Sequence, residues 1–160
     1  LCVGDAIQVR ACGQGIKFVD HKDVFIANCS PFLLKALAIT EKGESLRIPV
    51  TKILPSQVLN AAVGSGHAQV GDYNLQIISD QGVYNLEELR LGDLVAITDF
   101  DFSANMPKYV EGALAVGVIT HTASQFKGKG PGFCVLFSSP SGLIDPVVTK
   151  KANVADFLFS

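Results

Sequence analysis

The chain has no tryptophan and one methionine, and only 18% of its residues are charged, where ordinary soluble domains carry about 25%. The formal net charge is -2. That balance excludes the electrostatic footprint of a protein that docks on nucleic acid or on an anionic membrane. No apolar run approaches the ~20 residues of a membrane-spanning helix, because Lys and Glu interrupt the longest ones. No basic segment followed by an apolar one marks a signal peptide. The four cysteines, Cys2, Cys12, Cys29 and Cys134, form no C-x-x-C pair and no zinc-ribbon spacing. Each lies in or beside an apolar segment, so they read as reduced structural thiols in a reducing, cytoplasmic compartment.

Several catalytic signatures are missing too. Gly13-Gln14-Gly15 is not followed by the glycine and βαβ unit of a dinucleotide fingerprint. The loop Gly128-Lys129-Gly130-Pro131-Gly132 lacks the Lys-Ser/Thr ending of a phosphate loop. No G-x-S-x-G elbow surrounds Ser65. Residue 1 is Leu, which does not suit N-terminal nucleophile chemistry.

What is present is alternation. At 160 residues, 48% of them hydrophobic, the chain is the size of one domain with a real core. Period-two segments rich in Val and Ile predict strands over Ala6–Ala11, Val24–Ala27, Leu46–Leu54, Tyr73–Ser79, Leu94–Thr98, Ala113–Thr120 and Gly132–Ser138. Ser30 as N-cap and Pro31 at the first helical position predict a short helix over Phe32–Leu37. Leu86–Arg90 reads as one or two helical turns, and Ala152–Phe159 as a closing helix. Val3-Gly4-Asp5 and Leu91-Gly92-Asp93 each launch an alternating segment, with Gly taking positive φ and Asp expected to bond the backbone that follows. The expected fold is mainly β, a small barrel or sandwich with a few short helices. Residues 1–160 are read as a single β-rich domain. The apolar composition and the start at Leu1 predict a processed piece of a longer precursor, part of whose surface a homo-oligomer or companion chain covers.

The polar residues suggest where chemistry could gather. Asp99-Phe100-Asp101-Phe102 ends the strand from Leu94, and extended geometry would put both carboxylates on one face and both rings on the other. Two such carboxylates attract a hard cation such as Mg²⁺, Ca²⁺ or Mn²⁺, and an added imidazole admits Zn²⁺. His121 ends the most apolar strand and is the candidate third ligand or a general base. The competing reading is a solvated strand end and a core histidine. Gly13, Gly15, Gly130 and Gly132 allow close backbone approach to a ligand, or simply make turns. Asp20-His21-Lys22-Asp23 reads most simply as a solvated turn, with His21 as a metal ligand the alternative. In Gly64-Ser65-Gly66-His67, with Asp72-Tyr73 following, His67 and Asp72 could form a base and its orienter; the bland alternative is a structural glycine loop.

The order and spacing of these motifs resemble the domain-of-unknown-function family 4438. The residues that carry the resemblance are Gly13, Gly15, Asp20 and His21, then Gly64, Gly66, Asp72 and Tyr73, and finally Asp99, Asp101, His121, Gly130 and Gly132. The family often has His at the position of Lys129 and a small residue at that of His67. The resemblance implies that this chain is similar to the C-terminal part of longer members, so that an N-terminal half would be cleaved off or supplied by a separate companion chain. A shorter likeness links residues 64–74 to the glycine–His–Gly-Asp loop of acetamidase/formamidase enzymes, metal-dependent amidases on a mainly β scaffold.

Two functions follow as expectations. In the first, Asp99, Asp101 and His121 hold a divalent ion that lowers the pKa of a bound water toward ~7 for hydrolysis of a small amide-like substrate. His121, Asp72 or His67 would move protons, while Tyr73 and the glycines at 13, 15, 64, 66, 130 and 132 would admit substrate. In the second, the protein is a non-catalytic ligand-binding or assembly protein.

Overall fold

The computed structural model describes Val3, Gly4 and Ala6 and residues 15–60, 71–75, 82–103, 106–123 and 130–159. Beyond Ala6, the expected strand Ala6–Ala11 lies outside the described residues, as does the loop around His67. The elements are β1 (Phe25–Ile26), α1 (Pro31–Ala36), β2 (Thr40–Lys42), β3 (Ser45–Val50), β4 (Lys52–Pro55), β5 (Leu59–Asn60), β6 (Asp72–Leu75), β7 (Leu94–Asp101), β8 (Lys108–His121), β9 (Gly132–Ser139), β10 (Ile144–Val148) and α2 (Val154–Leu158). Short 3₁₀ turns occupy Ser56–Val58 and Leu86–Glu88.

The strands form two sheets. The larger has the order β4-β7-β8-β9-β6-β5, with β1 pairing β9, and the smaller is β10-β3-β2. The large sheet is not closed into a barrel, and the arrangement is sandwich-like. Alternation along β7 supplies two cores. Leu94 and Ala96 pack with Leu46, Ile48, Val50 and Ile144 of the small sheet. Val95 and Ile97 pack on the opposite side with Leu54, Tyr73, Leu75 and Phe133. A sheet buried on both faces explains the scarcity of charge along β7 and β9.

The expected strand Leu46–Leu54 is two strands in two sheets. Thr51 makes the break: both its N–H and its hydroxyl donate to the Leu94 carbonyl, at 2.7 and 2.9 Å. The chain thereby crosses from the small sheet to the edge of the large one. β10 went unforeseen because its side chains are mostly half-buried and Pro146 interrupts the run. The first helix starts where expected, and the closing one starts at Val154, two residues after the expected Ala152. Ser30 caps α1 by accepting from Leu33 N–H at 3.1 Å. Asn153 and Asp156 form a capping box on α2.

Gly4 and Gly92 both hold positive φ. The Asp after Gly92 works differently from expectation: Asp93 Oδ2 accepts from the preceding Arg90 N–H at 2.9 Å, and Oδ1 accepts from the Asn153 amide at 2.8 Å. It locks the start of β7 onto the C-terminal segment instead of bonding forward. Among the described residues no helix is long and apolar enough to cross a membrane.

Candidate functional site

The alternation of β7 slips at Asp99. Val95 and Ile97 face one core at odd positions, and Phe100 and Phe102 face the same core at even ones. A one-residue change of phase requires a bulge, and the pairing with β8 shifts register between Thr98 and Phe100. Asp99 sits at that point with φ +55, a left-handed conformation that Asp tolerates better than most residues. Its Oδ1 accepts from Gly112 N–H at 2.9 Å and so holds the excursion of β8 opposite the bulge.

Beside the bulge lies a cavity of about 400 Å³. Leu59, Tyr73, Phe100, Pro107 and Tyr109 give it apolar and aromatic walls, and Ser56, Gln57, Asp99 and Lys108 add polar groups. Tyr73 is 2% exposed. Its ring meets Phe100 edge-on at 5.4 Å and Phe102 at 6.2 Å. Burial pushes its phenol up to about 12, so it is a neutral hydroxyl at physiological pH.

The expected ion site does not assemble. Asp101 is 4% exposed and faces away from the cavity walls formed by its neighbouring phenyl rings. Its oxygens accept from Ser103 N–H (2.9 Å), Ser103 Oγ (2.9 Å) and Ser138 Oγ (3.0 Å). The bulge therefore separates the two carboxylates that strict period two would have aligned. His121 is farther still. β7 and β8 are antiparallel, so the end of β8 lies beside the start of β7: Val118 pairs with Leu94, while Leu114 pairs with Thr98. The extended stretch from Leu114 to His121, at ~3.3 Å per residue, puts roughly 20 Å between His121 and the aspartates. Among the described residues no group of three or more His, Cys, Asp or Glu is placed to hold a metal ion.

His121 is exposed, with Nδ1 3.1 Å from the Thr122 carbonyl. Its ring lies over Gly132, where an added Cβ would come within 2.5 Å of Cδ2 and 2.4 Å of the Thr120 hydroxyl. The glycine at 132 thus makes room for the protein's own side chains. Gly130 is buried at the approach to β9, and Gly15 lies in an exposed turn with open space around it. Asp72 pairs across to Cys134, with Asn28 also against that thiol. Burial first, then the Asp72 carboxylate, pushes Cys134 up to about 11, while the Asn28 hydrogen bond pulls the other way. Cys29 is likewise pushed up to about 11 by burial. Both are free thiols; Cys2 and Cys12 lie outside the described residues, as do Gly13, Gly64, Gly66 and His67.

His21 corrects another expectation. Its neighbours Asp20, Lys22 and Asp23 are exposed, but His21 is 8% exposed. Its Nδ1 is 3.0 Å from the Glu44 carbonyl and its Nε2 3.4 Å from Glu41. It ties the loop before β1 to the β2–β3 hairpin. Of the cavity residues only Tyr73 and Asp99 were candidates; Ser56, Gln57, Leu59, Phe100, Pro107, Lys108 and Tyr109 were missed. The available signal was Pro107-Lys108-Tyr109, shortly after Asp99-Phe100-Asp101-Phe102, at the opening of the strand that pairs antiparallel with β7.

These observations define a β-sandwich domain with an aromatic-lined cavity at a strand bulge. The chain belongs to the family described as Domain of unknown function (DUF4438): the C-terminal family model matches residues 36–158 and the N-terminal one residues 1–35. It is also similar to the crystal structure of TM1086, with 35% identity and a TM-score of 0.79 over 91% of this chain. The chain spans about half of that relative's length, 51%. No curated protein matches it.

Proposed function

We propose that the domain is a non-catalytic binding module that takes a small, largely apolar molecule into the cavity beside β6, β7 and β8. The observation that carries this reading is the cavity itself: about 400 Å³, walled by Leu59, Tyr73, Phe100, Pro107 and Tyr109 with a few polar groups among them. That size and composition suit small-molecule sites, where apolar walls give affinity and sparse polar groups give orientation. Metal-assisted hydrolysis of an amide-like substrate has less support, because Asp99, Asp101 and His121 do not meet.

Saturation-transfer NMR with phenol and cyclohexanol as probes tests the reading. Both are expected to receive saturation from the wild-type protein and to lose it in Ser56→Trp, whose indole would fill the cavity. Signals unchanged in that variant, or no transfer at millimolar probe, would overturn it.

The exposed apolar side chains of Phe32, Leu91 and Phe159 support association with a second copy or a companion chain, which sedimentation velocity would register. The free thiols of Cys29 and Cys134 support a reducing, cytoplasmic setting.

A further inference from the structure

We infer that the ligand is a small zwitterion with an apolar side chain, of the class of free aliphatic and aromatic α-amino acids. This rests on the binding reading above and adds the ligand's charges. Asp99 and Lys108 line the same cavity with opposite charge. Asp99 spends Oδ1 on the Gly112 N–H, and among the described residues no other hydrogen bond or ion pair engages it or the Lys108 ammonium. Four other cations do have carboxylate partners: Lys42 and Arg47 sit on Asp145, Lys52 on Glu88 and Arg90 on Asp93. Two opposite charges bordering one pocket, each without an ion-pair partner among the described residues, are complementary to a molecule carrying both.

The rest of the wall fits the remainder of such a ligand. Aromatic rings accept an apolar side chain, and their faces attract an ammonium brought to the neighbouring carboxylate. The bulge has a place in this arrangement as well. Bulges re-aim side chains at functional sites, and a non-glycine residue held at positive φ is the kind of local strain that persists where position matters. Asp99 shows both features. A ligand with only a cation would leave Lys108 unmatched, and one with only an anion would leave Asp99 unmatched.

Isothermal titration of the full chain with L-phenylalanine, phenethylamine, 3-phenylpropionate and benzyl alcohol separates the possibilities. The ring is constant and the charges are removed in turn. Phenylalanine is expected to bind about tenfold or more tighter than either singly charged probe, one matched charge-assisted contact being worth about that factor. Asp99→Asn keeps an oxygen for the Gly112 N–H and removes the charge; it should abolish the advantage over 3-phenylpropionate. Lys108→Gln changes an exposed side chain and should abolish the advantage over phenethylamine. Circular dichroism melts of both variants control for folding. If either singly charged probe matches phenylalanine, or if both folded variants bind it unchanged, the zwitterion is wrong. Binding of benzyl alcohol as tight as that of phenylalanine would overturn the zwitterion and leave the cavity reading standing. No binding by any probe at millimolar concentration would sink both.

Discussion

Replacing Asp101 by Ala decides whether this carboxylate is an ion ligand or a brace. The side chain is 4% exposed and accepts three hydrogen bonds, from Ser103 N–H, Ser103 Oγ and Ser138 Oγ. Ser138 is 0% exposed, and its oxygen in turn accepts from Phe102 N–H at 2.8 Å. Removing the carboxylate strands the Ser138 hydroxyl where water does not reach it, which costs about 1–3 kcal/mol, with hydrogen bonds to a charged acceptor at the upper end. The Ser103 groups are only half-buried and recover partners in water, so their loss adds roughly 1 kcal/mol in all. Relief of the buried charge offsets part of this. The expected destabilisation is therefore about 2–3 kcal/mol. Far-UV circular dichroism in urea measures it; the chain has no tryptophan to serve as a fluorescence probe. Asp101→Ala and Ser138→Ala should also be coupled by at least about 0.5 kcal/mol, since the two side chains share a bond. A loss below about 0.5 kcal/mol, the spread of ordinary surface changes, would refute the brace. So would a chelator that reproduces the whole loss in the wild-type protein, because the carboxylate would then be acting through a bound cation.

Two further perturbations read the same structure. Gly117→Ala places a Cβ 2.5 Å from the Cys134 carbonyl oxygen and 2.5 Å from Phe133 Cε2, and since one obstacle is backbone the variant should lose about 2–3 kcal/mol; an unchanged thermal midpoint would contradict that packing. Cys29 and Cys134 should alkylate at pH 8 roughly a hundredfold more slowly in the folded than in the urea-unfolded chain, because each is raised from 9.0 to about 11 and only the thiolate reacts; peptide mass spectrometry after timed iodoacetamide treatment reads this. By linkage, the unfolded chain releases these protons near pH 9 while the folded one keeps them to about 11, so stability falls as pH rises through that window. A urea midpoint that holds level or rises between pH 9 and 11 would contradict the sign.

Much of the fold was legible because both cores are written as alternation. Leu94-Val95-Ala96-Ile97 sends its side chains to opposite faces of one sheet, and a run apolar at every position is what a strand covered on both faces requires. The cap of α1 was readable for an equally local reason, since Ser30 bonds a backbone N–H three residues away; the Asn153 cap of α2 is equally local but was not singled out. What escaped was set by partners distant in sequence. Thr51 ends one strand only because the Leu94 carbonyl is there to receive it, and β10 is a strand because β3 lies alongside it in parallel register. Neither neighbour leaves a mark in the segment itself.

The site divides along the same line. The slip from Val95 and Ile97 to Phe100 and Phe102 was visible in the sequence, and a strict reading of it yields a bulge at Thr98–Asp99 and places Asp101 away from the rings. Treating the aspartates as a same-face pair overlooked the phase change. Uniting them with His121 then assumed that two strand ends lie together. In an antiparallel pair the end of one strand lies beside the beginning of the other, so polar residues that close successive strands are driven to opposite edges of the sheet. The residues that do come together are those flanking the turn between such strands, on either side of the connection. Here that means Asp99 and Phe100 before it and Pro107, Lys108 and Tyr109 after it, so the strand segments on either side of one connection, not the termini of separate strands, are where these polar and aromatic groups gather.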